Sequence, residues 1–563
     1  MIMRFTTIYI LTIFLSLQTL CAQKPEAQKW ADSVLQSLTL KEKIAQLMVV
    51  RSSQPNAMLD KHIDTLVEKY NIGAICAFQG TPLQHANMFN RIQENAKTPI
   101  MVTVDGEWGL GMRFTGVNNL PYQLTMGAMP GAGLVYKAGK IIANQCRRMN
   151  IHVNYAPVVD INNNPNNPVI GLRSYGEDKY KVALFGTRIM EGMQDNNVMA
   201  CAKHFPGHGD VDVDSHYDLP VIKKTKGQLD SLELYPFKQL IAHGVGSVMV
   251  AHLSIPAIDT TPNRATSLSP ENINGLLRKE LGFNGLTFTD ALEMKGVSKF
   301  FPSGEAAVQS LIAGNDMLCL PENVPASINA VLTAIDSGKI SEAYINEKCL
   351  KVLLAKYDYV KDNIKPIFIT DLLKDLNAEV DAFRAEVAKK SLTVISLPEA
   401  FKVIKKNDSL KTVYVNIGAK PNSTISKETG DAYNIDVIDL PFTNASAIDH
   451  FNIKQLQKYD RVIVALHGVT RSTAKNFGVP ASAVKLIKAI DNTDKPTVNL
   501  VFGNPYIIAQ FDSVKGLVAC YEDDSTFREN AYKWLTGDFD AEGSLPVTIG
   551  KHAFGSGIVK KKS

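Results

Sequence analysis

The feature that most limits the possible folds of this chain is a series of eight short apolar runs. Each run is rich in Val, Ile or small apolar residues and is nearly continuous, which is typical of parallel strands buried on both faces. Helical patterns separate the runs, so eight strand–helix units predict an α/β fold with a (β/α)8 barrel of the TIM type. A doubly wound open sheet is the structural alternative. The predicted strands are 48–51, 72–78, 100–105, 153–161, 199–204, 246–252, 286–290 and 316–320.

A second series of apolar runs follows the predicted barrel, which takes residues 23–360. Residues 361–388 are predicted to be a linker, with Pro366 near the boundary. In residues 389–563, runs such as TVYVNIG and TVNLVFG alternate with helical segments. This alternation predicts an α/β/α sandwich domain with an open, mostly parallel sheet. It contains neither a G-x-G-x-x-G fingerprint nor a Walker loop, so a nucleotide site is not expected there.

The N-terminus has the pattern of a secretory signal peptide, residues 1–22. One arginine precedes an apolar run that ends in a small residue, and polar residues follow at once. We therefore expect cleavage after Ala22, export to the periplasm or the medium, and no transmembrane segment in the mature chain. A lipid anchor on Cys21 is less favoured, because Leu20 stands where a small residue normally precedes such a cysteine. The six remaining cysteines are far apart, so buried free thiols are expected.

Composition and spacing argue against several classes of function. The 563 residues carry a net charge of only +4, and no basic block is interleaved with aromatic residues, so nucleic acid is not an expected partner. Asp210, Asp212 and Asp214 resemble the start of a calcium loop, but Ser215 and Val221 stand where that loop needs glycine and glutamate. Zinc-binding words and a G-x-S-x-G elbow are also missing from the sequence. No metal and no cofactor is therefore expected, and the sequence does not indicate an oligomeric state.

Charged side chains stand where five successive predicted strands end. The carboxyl ends of barrel strands share one face, so these side chains are expected to line one pocket. They are Asp105, Glu107, Asp160, Lys203, His204, His252, Asp290 and Glu293.

Two features of the sequence suit glycoside cleavage, which needs a carboxylate on one side of the anomeric carbon and a proton donor on the other. Asp290, at the end of a buried strand, is placed to be the rigid carboxylate, with Glu293 as a less favoured nucleophile. In Asp214-Ser215-His216 a single serine separates a carboxylate from an imidazole, so the carboxylate can orient the ring for general acid/base work.

The words K-H-F-P-G-H-G-D and D-S-H, in residues 203–216, resemble the signature of family 3 glycoside hydrolases, specifically the β-N-acetylglucosaminidase branch. The resemblance extends to NYAPVVDINNNPNNPVIGLRSYGED, to the spacing of Asp105 and Arg113, to FTDALEM and to the second domain. It covers most of the mature chain. One departure is DGEWGLGMRF, where members commonly have an amide after the aspartate and a glycine directly after the glutamate, so the pocket rim is expected to differ.

The resemblance implies a role for each matching position. Asp290 matches the nucleophile that forms a covalent glycosyl-enzyme intermediate, and His216 matches the acid/base with Asp214 as its partner. The residues that match those holding the sugar hydroxyls are Asp105, Arg113, Arg173, Lys203 and His204.

The expected function is thus a retaining exo-β-N-acetylglucosaminidase that acts on oligosaccharides derived from peptidoglycan or chitin. A β-glucosidase or xylosidase of the same family and a glycoside phosphorylase are alternatives with the same fold. A glycan-binding protein without catalysis is an alternative from another class.

Overall fold

A computed structural model describes residues 25–52, 57–215, 217–301, 304–419 and 427–558 of the chain. The predicted signal peptide and His216 lie outside the described residues. Within the described part, no helix combines the length and the apolar character needed to cross a membrane.

The first part of the chain forms the predicted barrel. Eight parallel strands lie in the order β7-β6-β5-β4-β3-β2-β1-β8, and a parallel bridge between Phe288 and Met317 joins the two ends. Their side chains are almost all buried, as the continuous apolar runs predict. The barrel prediction is confirmed, and the doubly wound alternative is wrong. The strands are β1 (Met48–Ser52), β2 (Ala74–Ala77), β3 (Met101–Val104), β4 (Val153–Asn154), β5 (Met199–Phe205), β6 (Ser247–Val250), β7 (Leu286–Thr289) and β8 (Leu318–Cys319).

Strand β4 is much shorter than the predicted run 153–161. The N–H of Ala156 bonds back to the carbonyl of Asn154 at 2.8 Å, which turns the chain out of the ladder. Pro157 then has no N–H to donate. The chain rejoins its neighbour at an isolated bridge between Val158 and Lys203. Asp160 therefore follows a bridge and a turn rather than a continuous strand.

Helices cover the outside of the barrel and begin where the sequence places caps. The Thr39 side chain accepts the N–H of Glu42, and the Glu42 carboxylate accepts the N–H of Thr39, which is a capping box. The helix Lys179–Gln194 is capped by the side chain of Asp178. The α-helices of five or more residues up to the second sheet are Pro25–Ser37, Leu40–Ala45, Ala57–Tyr70, Pro82–Asn95, Gln123–Gly127, Gly133–Arg148, Lys179–Gln194, Lys226–Ser231, Leu234–Ala242, Glu305–Ala313, Val324–Asp336, Glu342–Lys356, Leu372–Asn377 and Val380–Ser391, and Glu271–Glu280 is a π-helix.

The second part of the chain forms a six-stranded sheet with helices against it, which confirms the predicted sandwich. Its order is β11-β10-β12-β13-β14-β9, parallel throughout apart from β9, which runs antiparallel to β14. The strands are β9 (Thr393–Ser396), β10 (Thr412–Ile417), β11 (Ile435–Leu440), β12 (Arg461–Leu466), β13 (Thr497–Phe502) and β14 (Leu517–Tyr521). The α-helices of five or more residues are Lys427–Tyr433, Ala445–Asp449, Ala481–Asp491 and Ser525–Leu535.

Glu522, directly after β14, fastens the second sheet to the barrel. Its carboxylate accepts the N–H of Tyr122 at 2.7 Å and the hydroxyl of Thr125 at 3.1 Å. The Arg384 guanidinium pairs with the same carboxylate at 3.2 Å. These bonds hold the ends of β12, β13 and β14 next to the loops that follow the barrel strands. The six cysteines of the described chain are free and buried, as predicted.

Candidate active site

Six of the charged residues predicted at the strand ends line one cavity of about 540 Å³ at the carboxyl end of the barrel; Asp160 and His252 do not line it. Six of the eight predicted site residues line it: Asp105, Arg113, Arg173, Lys203, His204 and Asp290. The aromatic and apolar side chains of Phe78, Trp108, Tyr155, Met249 and Met294 complete its wall. A concave pocket with convergent charges on an apolar wall suits a polar ligand that also presents apolar faces.

Glu107 is the buried centre of the charged side of the cavity. Its side chain has no exposed surface. Arg173 donates to both carboxylate oxygens, at 2.9 and 2.7 Å, and the Lys203 ammonium lies 2.8 Å from Oε1. Burial alone would raise the pKa of Glu107, but these two cations hold that pKa below its usual value. Glu107 is therefore a carboxylate that fixes Arg173 and Lys203.

Asp105 is the carboxylate of this group that reaches the cavity, with 23% of its side chain exposed. Lys203 Nζ lies 2.6 Å from Oδ1, and Arg113 donates to Oδ2 at 2.9 Å. Burial raises the pKa of Asp105, but the charges of Lys203 and Arg113 outweigh it and keep the pKa well below its usual range. Each oxygen retains a lone pair, so Asp105 can accept hydrogen bonds from the hydroxyls of a ligand.

His204 is held in one tautomer by its two neighbours. Its Nδ1 lies 2.7 Å from Oδ2 of the buried Asp160, and its Nε2 lies 3.2 Å from Nη2 of Arg173. An arginine only donates, so Nε2 is the acceptor and the proton is on Nδ1. Because both ring nitrogens are occupied, the observed role of His204 is to position Arg173. Asp160 also accepts the backbone N–H of His208 at 2.6 Å.

Asp290 follows β7 and is half-buried on the cavity wall. Its Oδ1 accepts the N–H of Ala291 at 2.8 Å, and the carbonyl of Ala291 accepts from His252 Nε2 at 2.9 Å. Burial would raise the pKa of Asp290, but the nearby His252 imidazole, the Ala291 N–H and the Lys203 ammonium lower it. Asp290 is thus an oriented, ionised carboxylate, as a nucleophile at an anomeric carbon requires.

The loop after β5 brings the predicted acid/base segment to the cavity wall. Ser215, between Asp214 and His216, is buried and lines the cavity, and its hydroxyl lies 3.2 Å from Nε2 of His208. Asp214 is half-buried one residue away, and its carbonyl accepts the N–H groups of Tyr217 and Asp218. His216 is outside the described residues, so its predicted role stays a prediction.

Several residues of the cavity were not in the predicted site. Glu107 lines the cavity, and Asp160 supports it by bonding to His204; both stood at predicted strand ends, but no role was assigned to them. Arg51 is the next-to-last residue of β1 and the last residue of the predicted strand; it pairs with Glu293 and stacks 3.7 Å from the centroid of Phe78. The strand-end rule, applied to the first strand as it was to the others, would have found Arg51. No group of three or more His, Cys, Asp or Glu suited to a metal ion occurs within the described residues.

Comparison with known proteins gives a consistent result. The model described as "Glycosyl hydrolase family 3 N terminal domain" matches residues 39–355, which is more than half of the chain. Beta-hexosaminidase A of Pseudoalteromonas piscicida is 26% identical, covering 87% of this chain and 91% of that protein. The beta-hexosaminidase of Thiobacillus denitrificans is 34% identical over 264 residues, which are 45% of this chain and 72% of that protein.

A solved structure extends the similarity over both parts of the chain. It is a glycoside hydrolase family 3 beta-N-acetylglucosaminidase from Paenibacillus sp. str. FPU-7, which is 30% identical. The match covers 90% of this chain and 98% of that one, with a TM-score of 0.73.

Proposed function

Because the chain belongs to glycoside hydrolase family 3, we propose that it removes terminal β-linked N-acetylglucosamine from oligosaccharides derived from peptidoglycan or chitin. Its assignment to the β-N-acetylhexosaminidase type of glycoside hydrolase agrees with the sequence-based prediction. The observation that carries the substrate proposal is the cavity itself. It presents the ionised carboxylate of Asp290 together with a fixed set of charged hydrogen-bonding groups suited to sugar hydroxyls.

We propose that the reaction retains the anomeric configuration. Asp290 attacks the anomeric carbon, the glycosidic C–O bond breaks, and His216 gives its proton to the leaving oxygen while Asp214 orients the ring. In the second step His216 takes a proton from water. The water oxygen attacks the anomeric carbon, and the bond between that carbon and the Asp290 carboxylate breaks. Ser215 supports this assignment, because the loop that carries both predicted residues reaches the cavity wall there.

A labelling experiment tests the nucleophile. A 5-fluoro glycosyl fluoride of N-acetylglucosamine should accumulate as a covalent adduct on the peptide that contains Asp290. Asp290→Asn should abolish both labelling and turnover. Glu293→Gln is the matched control, because Glu293 lies three residues on and pairs with Arg51. An adduct on Glu293 would overturn the assignment.

The dependence on the leaving group tests the acid. His216→Ala and Asp214→Asn should slow alkyl glycosides far more than activated aryl glycosides, because an activated leaving group needs little protonation. An equal loss on both classes would argue against an acid role for His216.

Substrate class is tested by comparing the nitrophenyl β-glycosides of N-acetylglucosamine, glucose and xylose. The N-acetylglucosaminide should be hydrolysed fastest, with no sugar 1-phosphate formed in phosphate buffer. Faster hydrolysis of the glucoside would favour a β-glucosidase, and sugar 1-phosphate would favour a phosphorylase. No turnover of any of the three would favour a binding protein.

We also propose that the protein is exported, on the basis of residues 1–22. N-terminal sequencing of the mature protein should begin at Gln23.

A further inference from the structure

A second cavity opens from the active-site cavity toward the second sheet. Its volume is about 290 Å³. We call it the side groove, and it is lined by Trp108, Tyr122, Val169, Leu172, Arg173 and Arg471, among others. Trp108, Val169 and Arg173 also line the active-site cavity, so the two spaces share a wall.

The side groove is built by both parts of the chain. Trp108 and Tyr122 come from the loops after β3, and their rings meet edge to face with centroids 4.9 Å apart. Arg471 comes from the loop after β12, and its guanidinium lies 5.5 Å from the centroid of the Tyr122 ring. A ligand that fills the active-site cavity and continues along this groove would therefore contact the second sheet.

The charge of the side groove is positive. Its charged lining residues are Arg173 and Arg471, and Arg173 is already neutralised by Glu107. Within the described residues no carboxylate lies within 4 Å of Arg471, whose side chain is exposed. Nearby acids have other partners: Glu522 and Asp524 pair with Arg384, and Asp523 pairs with Arg528.

We propose that the side groove binds the leaving-group part of the substrate and that Arg471 recognises a carboxylate on it. An arginine pairs with a carboxylate through two parallel N–H···O bonds, and the aromatic and apolar wall suits the faces of a sugar ring. The ligand class is therefore an acidic saccharide, such as one bearing a lactyl or peptide carboxylate, rather than neutral chitin. This inference rests on the proposed function, whose substrate it narrows.

The test compares two disaccharides that differ in one charge. They are N-acetylglucosamine β-1,4-linked to N-acetylmuramic acid, and the methyl ester of the same compound. The wild-type kcat/KM should be about five- to tenfold higher for the acid, a ratio that suits a charged hydrogen bond partly screened by solvent. Arg471→Gln should remove this preference, and Arg471→Lys should retain part of it.

Lys475→Gln is the matched control, because Lys475 is an exposed cation of the same loop that does not line the groove. It should leave the preference unchanged. Hydrolysis of the nitrophenyl N-acetylglucosaminide, which carries no carboxylate, is the reference activity for each variant. Raising the salt from 0.05 to 0.5 M should weaken the preference in the wild type, because an exposed ion pair is screened.

One result would overturn the inference while leaving the proposed function intact: an Arg471→Gln enzyme that keeps the wild-type preference, including one that loses equally on acid and ester. Failure of the proposed function would be seen separately, as a wild-type enzyme inactive on the nitrophenyl N-acetylglucosaminide.

Discussion

Replacing Glu107 by glutamine removes one buried charge and almost no volume. In the wild type, Lys203 Nζ lies 2.8 Å from Oε1 of Glu107, and at an effective dielectric constant of about 20 this attraction is roughly 6 kcal/mol before desolvation. Arg173 adds two hydrogen bonds to the same carboxylate. The glutamine oxygen can still accept a bond, but its NH2 group faces a cation. We expect the barrel to lose about 3–5 kcal/mol of stability, the usual cost of leaving a buried charge without its partner.

Hydrogen exchange measures this loss where it occurs. In Glu107→Gln, the free energy of opening measured for peptides from β3 and β5 should fall by about 3–5 kcal/mol. The free energy of opening of peptides from β12 and β13 should stay unchanged. The second sheet therefore serves as an internal control. The kcat/KM on the nitrophenyl N-acetylglucosaminide should also fall, because Arg173 and Lys203 lose the group that fixes them.

A second substitution tests the cause. Lys203→Met in the Glu107→Gln background removes a buried cation that has lost one of its two carboxylate partners and retains only Asp105, so the double variant should be less destabilised than the sum of the two single variants. We expect a coupling free energy of about 2–3 kcal/mol, at the upper end for residues in contact. Additive effects, or equal loss of protection in both sheets, would refute the electrostatic reasoning.

Three further predictions follow from the buried carboxylates. Asp316, which pairs with Lys348, Lys351 and Arg278, has a pKa held well below its usual range, against burial, by these cations. Its stabilising effect is present above its unfolded-state pKa of about 4 and is lost as the pH falls below that value. At neutral pH the Asp316→Asn variant should be less stable than the wild type by about 3–5 kcal/mol. As the pH falls below about 4, the variant should therefore lose less stability than the wild type, as measured by acid unfolding. Asp160→Asn should lower kcat/KM about tenfold through misplacement of His204 and Arg173, with melting temperature measured alongside to detect general unfolding. The lowered pKa of Asp290 predicts that its protonation does not limit kcat/KM until the pH falls below about 4, the usual aspartate value. A pH profile of kcat/KM checks this, and an acid limb that begins at a higher pH must come from another group.

The barrel was predictable because its strands are buried on both faces, which leaves continuous apolar runs in the sequence. The pattern failed at β4, where Pro157 interrupts the ladder within an apolar run that periodicity alone reads as one strand. The second sheet was predictable for the same reason as the barrel.

The site residues Asp105, Lys203 and Asp290 were predictable because they stand at strand ends. The position of Arg471 beside the active-site cavity was not, because it depends on how the second sheet lies against the barrel. That arrangement depends on bonds such as Glu522 to the N–H of Tyr122, which join residues 400 positions apart. No local sequence pattern carries such a contact.

The exposure of the carboxylates explains how the site combines stability with binding. Glu107 and Asp160 have no exposed side-chain surface, and they hold Arg173, Lys203 and His204 in place. Lys203, together with Arg113, in turn holds Asp105, which is partly exposed to the cavity. Because the buried carboxylates have already fixed the cations, a sugar that binds Asp105 does not have to reorganise the charges around it. The same coupling means that a substitution at Lys203, which contacts both Asp105 and Glu107, must change stability and substrate binding together. A change at Arg471, on a separate loop, should alter the choice of leaving group alone.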